Sequence, residues 1–165
     1  MIKEKSPVTV IICGRSGTGK STLEEELIGM GYGRIISCTT RPPREGEKDG
    51  VDYYFLTKEV FLKRVENSEF IEWTSYNGNL YGTLKSEMSS EDKVVVLDPN
   101  GVKNILSYCK KPYIVYLDAT EEVLEQRMRG RGDSENCIAE RLQKDRENTG
   151  FNEIREIANF VYKVS

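Results

Sequence analysis

One eight-residue stretch constrains this chain more than any other. Gly14-Arg15-Ser16-Gly17-Thr18-Gly19-Lys20-Ser21 satisfies G-x-x-x-x-G-K-[ST] at every fixed position. Before it, residues 8–13 form a β-branched, nearly unbroken apolar run. After it, Leu23, Leu27 and Ile28 recur at helical spacing. The run has the composition of a strand buried on both faces, and strand–loop–helix is the context in which such a loop cradles phosphate. Its glycines let backbone N–H groups turn inward, and the helix N-terminus adds partial positive charge. Lys20 brings a full charge to the β- and γ-phosphates, and the Ser21 hydroxyl suits Mg²⁺. Gly14, Ser16, Gly17, Thr18, Gly19, Lys20, Ser21 and Thr22 are the candidate nucleotide-binding residues.

Composition narrows the rest. A chain of 165 residues is one domain with room for a small insert, and 38% hydrophobic with 31% charged residues suits a globular chain. No apolar run reaches the roughly 20 residues of a membrane span. Met1-Ile2-Lys3-Glu4-Lys5 leads into the first strand, not a signal-peptide cleavage site. A net charge of −3 argues against general nucleic-acid binding, which needs a basic face. Cys13, Cys38, Cys109 and Cys137 form no CxxC pair and read as free thiols in a reducing compartment, so a cytoplasmic location is expected. The chain has no histidine, which excludes histidine triads, histidine metal sites and histidine acid–base catalysis.

Along the chain, short strands are expected at residues 34–38, 53–56, 93–97, 113–117 and 159–164. Residues 39–50, with adjacent prolines and two glycines, form a loop. Thr57 caps a helix over 58–66 whose inner face carries Phe61, Leu62 and Val65. Residues 70–76 alternate as a strand does, and Asn77-Gly78 signals a hairpin leading to 80–83. Helices follow over 102–109, 121–128 and 135–148, with 129–134 a glycine–arginine loop. Strand–helix alternation, an antiparallel interruption and renewed alternation imply an α/β fold: a P-loop-type parallel sheet flanked by helices, carrying a small antiparallel insert. The expected boundaries are a core of 7–32 and 91–165, an insert of about 33–90 and a short lid of about 127–136.

Further candidates stand at the ends of these elements. Asp98 closes the strand 94–97, where an acidic residue can hold Mg²⁺; it also reads as the start of a turn, Asp98-Pro99-Asn100-Gly101. Arg41 and Arg44 in the stiff loop, with Tyr53 and Tyr81, offer guanidinium forks and phenol hydroxyls to a second phosphate, or form a solvated face. Glu72, between Ile71 and Trp73, is an ordinary exposed strand residue or a carboxylate accepting two hydrogen bonds from a guanine edge, a donor pair adenine lacks. Arg127, Arg129, Arg131, Arg141 and Arg146 can spread charge over a transferring phosphoryl group, or complement a helix C-terminus.

Together these segments resemble the guanylate kinases, P-loop nucleoside monophosphate kinases. The matching text is the loop Gly14–Leu23, then Ser37-Cys38-Thr39-Thr40-Arg41-Pro42-Pro43-Arg44-Glu45-Gly46-Glu47, Gly50-Val51-Asp52-Tyr53-Tyr54-Phe55 and Glu69-Phe70-Ile71-Glu72-Trp73. It goes on through Asn77-Gly78-Asn79-Leu80-Tyr81-Gly82-Thr83, Arg127-Met128-Arg129-Gly130-Arg131-Gly132 and Ala139-Glu140-Arg141-Leu142. The resemblance implies ATP-dependent, Mg²⁺-assisted phosphorylation of GMP or dGMP. It makes the insert a monophosphate-binding module, with Ser37, Glu72 and Thr83 on the base and Arg41, Arg44, Tyr53 and Tyr81 on its phosphate. Lys20, Arg131 and Arg141 become the catalytic residues, and Ser21 and Asp98 the metal residues. Small-molecule nucleotides are the expected partners of a monomer or weak homo-oligomer, with no nucleic acid and no membrane. Two features depart from the family pattern. Asp98-Pro99-Asn100-Gly101 replaces a longer Asp-x-Asp-x-x-Gly segment, and the family continues into another helix beyond the position of Ser165. A P-loop kinase for another phosphorylated acceptor, such as a ribosyl bisphosphate, and a non-catalytic guanylate-kinase-like binding module are the rival readings.

Overall fold

The computed structural model describes residues 7–76, 78–88 and 91–165. Its first elements are β1 (Thr9–Gly14), α1 (Lys20–Gly29), β2 (Gly33–Arg34), β3 (Cys38–Thr39) and β4 (Tyr54–Phe55). Next come α2 (Lys58–Glu66), β5 (Phe70–Tyr76), β6 (Asn79–Leu84), β7 (Lys93–Val96) and α3 (Pro99–Ile105). The chain finishes with β8 (Pro112–Asp118), α4 (Glu121–Gly130), α5 (Glu135–Glu147), α6 (Gly150–Ile157) and β9 (Phe160–Lys163).

Two sheets result. The first is parallel throughout, in the order β2-β7-β1-β8-β9. β1, buried at all six positions, is its centre. Alternate β1 residues supply opposite faces, as the pleat requires. Ile11 and Cys13 pack with Val102 and Ile105 of α3 and Phe151 and Ile154 of α6. Val10 and Ile12 pack toward Leu23, Leu27 and Ile28 of α1. α4 and α5 share a smaller cluster of Leu124, Met128, Ile138 and Leu142.

The second sheet runs β4-β3-β6-β5. Its β3–β6 and β5–β6 pairs are antiparallel, whereas β3–β4 is parallel. Phe61 of α2 stacks on Phe70, ring centres 4.5 Å apart, and closes a core with Cys38, Leu80 and Leu84. Tyr54 and Glu87 tie this unit together: Glu87 accepts from the Tyr54 hydroxyl at 3.0 Å and from Ile36 N–H at 2.9 Å. Tyr76 pairs with Asn79 across the hairpin. Asn77 of the expected turn, the opening residues Met1–Lys5 and the expected end of the insert at about 90 lie outside the described residues.

Several expectations change in the structure. The strand expected at 34–38 is two short ladders, because the chain leaves the first sheet after Arg34 and enters the second at Cys38. Leu62 does not face the core; it is 39% exposed, and Phe61 alone of α2 is fully buried. The segment 98–101, which also read as a turn, is the start of α3, with Asp98 at the N-cap accepting from Gly101 N–H at 2.7 Å and Pro99 in the first turn. The helix expected from 102 therefore begins at Pro99, and residues 106–108 form a separate 3₁₀ turn. α4 continues to Gly130, so Arg129 and Gly130, expected in the loop, are helical. α6 was not expected at all.

Candidate active site

The phosphate loop joins the central strand to α1. Gly17 and Gly19 adopt φ of +84° and +93°, the left-handed region closed to most side chains, and so turn the backbone into a concave ring. Among the described α-helices, α1 alone has neither a side-chain cap nor an acidic first turn. Its N-terminus is therefore without a side-chain cap, and the helix dipole favours an anion there. Lys20 folds over the loop, donating to the carbonyls of Gly14 and Arg15 at 2.8 Å each. Burial lowers its pKa, opposed mainly by the charge of Asp145. Asp145 Oδ2 accepts from Ser16 N–H at 2.7 Å.

Beside the loop, a cavity of about 450 Å³ reaches from the first sheet to the second. Gly14, Ser16, Lys20 and Asp98 line one side, Thr74, Ser75 and Tyr81 the other, with Arg141 and Asp145 of α5 along the rim. An adjoining cavity of about 340 Å³ holds Ser21, Ser37, Glu47 and Tyr53. Thr18, Gly19 and Thr22 face a third, apolar groove of about 680 Å³ with Arg127, whose guanidinium donates to Thr18 O at 3.4 Å. The structure therefore divides the loop residues among three walls.

Arg41 lies 5.5 Å from the centre of the Tyr53 ring, and the rings of Tyr53 and Tyr81 meet edge to face at 6.3 Å. Glu47 shapes this cluster. It accepts two hydrogen bonds from Arg41, at 2.8 and 3.0 Å, and one from Arg44 N–H at 2.7 Å. Arg44 itself is exposed on the loop. On the paired strands β5 and β6, the Thr83 hydroxyl donates to Glu72 at 2.7 Å. Thr83 is fully buried, and burial raises the Glu72 carboxyl above the ordinary carboxylate value.

Arg131 and Arg141 converge on one carboxylate, Asp133. Arg131 donates to it at 2.6 and 2.9 Å, and Arg141 approaches to 3.6 Å. Arg146 instead pairs in bidentate fashion with Glu121, which also meets Arg15 at 3.6 Å. Burial pushes the Cys13 and Cys38 thiols up to about 12, which makes both unreactive.

Sequence reasoning missed Glu47, Glu87, Asp133 and Asp145. Glu47 lay within the quoted Gly46-Glu47 pair, and Asp133 stands two residues after Arg131, so both had a local signal. Asp145 had none, since its loop partner is 129 residues away.

A glycine-rich loop between the central strand and first helix of a parallel sheet, with its lysine folded across it, defines a P-loop nucleotide-binding α/β protein. The comparisons are more specific. The guanylate kinase family matches residues 6–160. Guanylate kinase of Schizosaccharomyces pombe is 39% identical over 155 residues, covering 87% of this chain and 76% of that protein. That of Synechocystis sp. is 38% identical over 166 residues, covering 94% and 83%. The crystal structure of guanylate kinase from Anaplasma phagocytophilum shares the fold, with a TM-score of 0.67 at 24% identity over 96% of this chain and 77% of that one. The chain belongs to the guanylate kinase family.

Proposed function

We propose that this chain transfers the γ-phosphoryl group of ATP to GMP or dGMP, giving ADP and GDP or dGDP. The observation that carries the reading is a single cavity walled by Lys20 and the phosphate loop on one side and by Tyr81 of the second sheet on the other. Two phosphorylated molecules can meet there. The second sheet and its loops, within the expected insert of about 33–90 but beyond Gly33–Arg34 of the first sheet, would hold the acceptor: Arg41, Arg44, Tyr53 and Tyr81 on its phosphate, and Ser37, Glu72 and Thr83 on guanine. Glu72, once ionised, accepts from guanine N1–H and the exocyclic amine.

A monophosphate oxygen is already nucleophilic at neutral pH, so no general base is required, in keeping with a chain without histidine. Catalysis is then positioning and charge neutralisation. Lys20 neutralises the donor phosphates. Arg131 and Arg141 exchange Asp133 for the transferring group as residues 127–136 close, and closure excludes water that would otherwise take the phosphoryl group.

The residues present fit Mg²⁺ held partly by substrate. Among the described residues no three acidic or sulfur side chains gather as a cage, whereas Asp98 is exposed two residues beyond Val96, the β7 partner of Ile12, at the same end of the sheet as Gly14. Mg²⁺ typically takes one or two protein oxygens and completes its shell with phosphate and water. Asp98 and Ser21 would hold it, and when bound it draws negative charge from the β- and γ-phosphates.

A coupled assay of ADP formation with GMP, dGMP, AMP, CMP, UMP and a ribosyl bisphosphate tests the reading. GMP and dGMP should dominate. No ADP above the acceptor-free control with either would refute it.

A further inference from the structure

The contact between Asp145 and the phosphate loop has no place in the scheme above. Asp145 lies one turn after Arg141 on α5, half-buried in the cavity that holds Lys20. Its Oδ2 takes the N–H of Ser16, the third residue of the loop, at 2.7 Å. It is also the neighbouring charge that acts most strongly on Lys20. An inward loop amide and a loop lysine are what a phosphate oxygen seeks, and a carboxylate oxygen satisfies the same donors. The two anions cannot share them, because neither can donate to the other and both carry negative charge.

We propose that Asp145 is a positioning residue that competes with the donor's phosphates for the phosphate loop. The proposal rests on reading that loop as the ATP site. Nucleotide entry breaks the Asp145–Ser16 hydrogen bond, and like-charge repulsion drives the carboxylate from the loop. Arg141 stands four residues earlier on the same helix face, so the phosphates that repel Asp145 attract Arg141. One segment of α5 thereby exchanges an anion for a cation as the donor arrives. Competition weakens ATP binding and ties it to the placement of a catalytic arginine.

The test is calorimetric titration of ATP, with and without Mg²⁺, into wild type, Asp145→Asn and Asp145→Ala. Asparagine keeps an acceptor oxygen for Ser16 N–H but no charge. Losing a competing charged hydrogen bond should tighten ATP binding by about tenfold or more in both variants. The KM for ATP should fall while the KM for GMP holds. Both variants should melt lower without nucleotide yet gain more in Tm from ATP than wild type does. A role confined to bracing the loop would lower ATP affinity and shrink that gain. If Asp145→Ala does not fold, the nearly isosteric Asp145→Asn decides alone. Unchanged or weaker ATP binding in a cooperatively melting variant overturns the proposal. A wild-type protein that binds no ATP overturns the nucleotide reading as well, which separates the two failures.

Discussion

Glu72 shows how far one residue's chemistry depends on its surroundings. Burial raises its pKa, the Thr83 hydroxyl opposes the shift, and the charge of Asp98 adds to it. Glu47 and Asp133 move the other way, held down by hydrogen bonds from Arg41 and Arg131. As pH falls toward the carboxylate range, Glu72 therefore protonates before either. In the proposed role only its ionised form would accept both guanine donors, so the GMP KM should rise as pH drops through the raised pKa, by about tenfold per unit below it. Glu72→Gln should raise the GMP KM at neutral pH by about 10–100-fold and lose that dependence. The ratio of wild-type to variant KM across pH 7.5–4.5 is the measurement, since it cancels the titration of the phosphates. The sign for stability is opposite. A carboxyl with a folded pKa above its unfolded one costs stability once ionised, so Glu72→Gln should raise Tm at pH 7 and not at pH 4. Lys20 is simpler: Lys20→Ala should cut kcat by about 10²–10³-fold in single-turnover assays without changing the melting curve by more than a few degrees.

At the scale of elements, the close approach of β5 and β6 supports Glu72. A Cβ at Gly82 would meet the Phe70 ring at 2.8 Å and Glu72 O at 2.9 Å. Gly82→Ala should cost about 1–3 kcal/mol in urea unfolding and raise the GMP KM far more than the ATP KM. Asp98 caps α3 and is also the proposed Mg²⁺ residue. Asparagine caps nearly as well as aspartate, whereas alanine costs about 1 kcal/mol. Asp98→Asn should therefore keep Tm and demand more Mg²⁺ for half-maximal rate, while Asp98→Ala should lose both. These elements also show what was legible. The 58–66 helix appears at its expected bounds, because Thr57 and the apolar spacing are local signals. α6 escaped notice because Phe151, Ile154 and Ile157 span barely two turns, and the periodicity of a helix so short is easily passed over. Leu62 was misassigned because Phe61, Leu62 and Val65 allow two overlapping helical faces, and only the docking of α2 on the second sheet chooses between them.

Across the whole molecule, the two sheets have separate buried clusters, and Ile71 of β5 packs against the first one. Ile154→Ala, in the first core, and Phe61→Ala, in the second, should each cost about 2–5 kcal/mol. Only the second should raise the GMP KM disproportionately, and thermal melting with steady-state kinetics on the two acceptor and donor axes would show the difference. The phosphate loop, the strand–helix alternation and the helix capped by Thr57 were readable from the chain alone, because each rests on dihedral and hydrogen-bond preferences acting within a few residues. The sequence pattern also carried the family likeness. Tertiary structure alone decided that Asp145 would sit on Ser16, that Asp133 would gather Arg131 and Arg141, and that Glu72 would be buried enough to change its ionisation. Those outcomes depend on desolvation and on charges contributed by segments far apart in the chain. No local spacing encodes such distances.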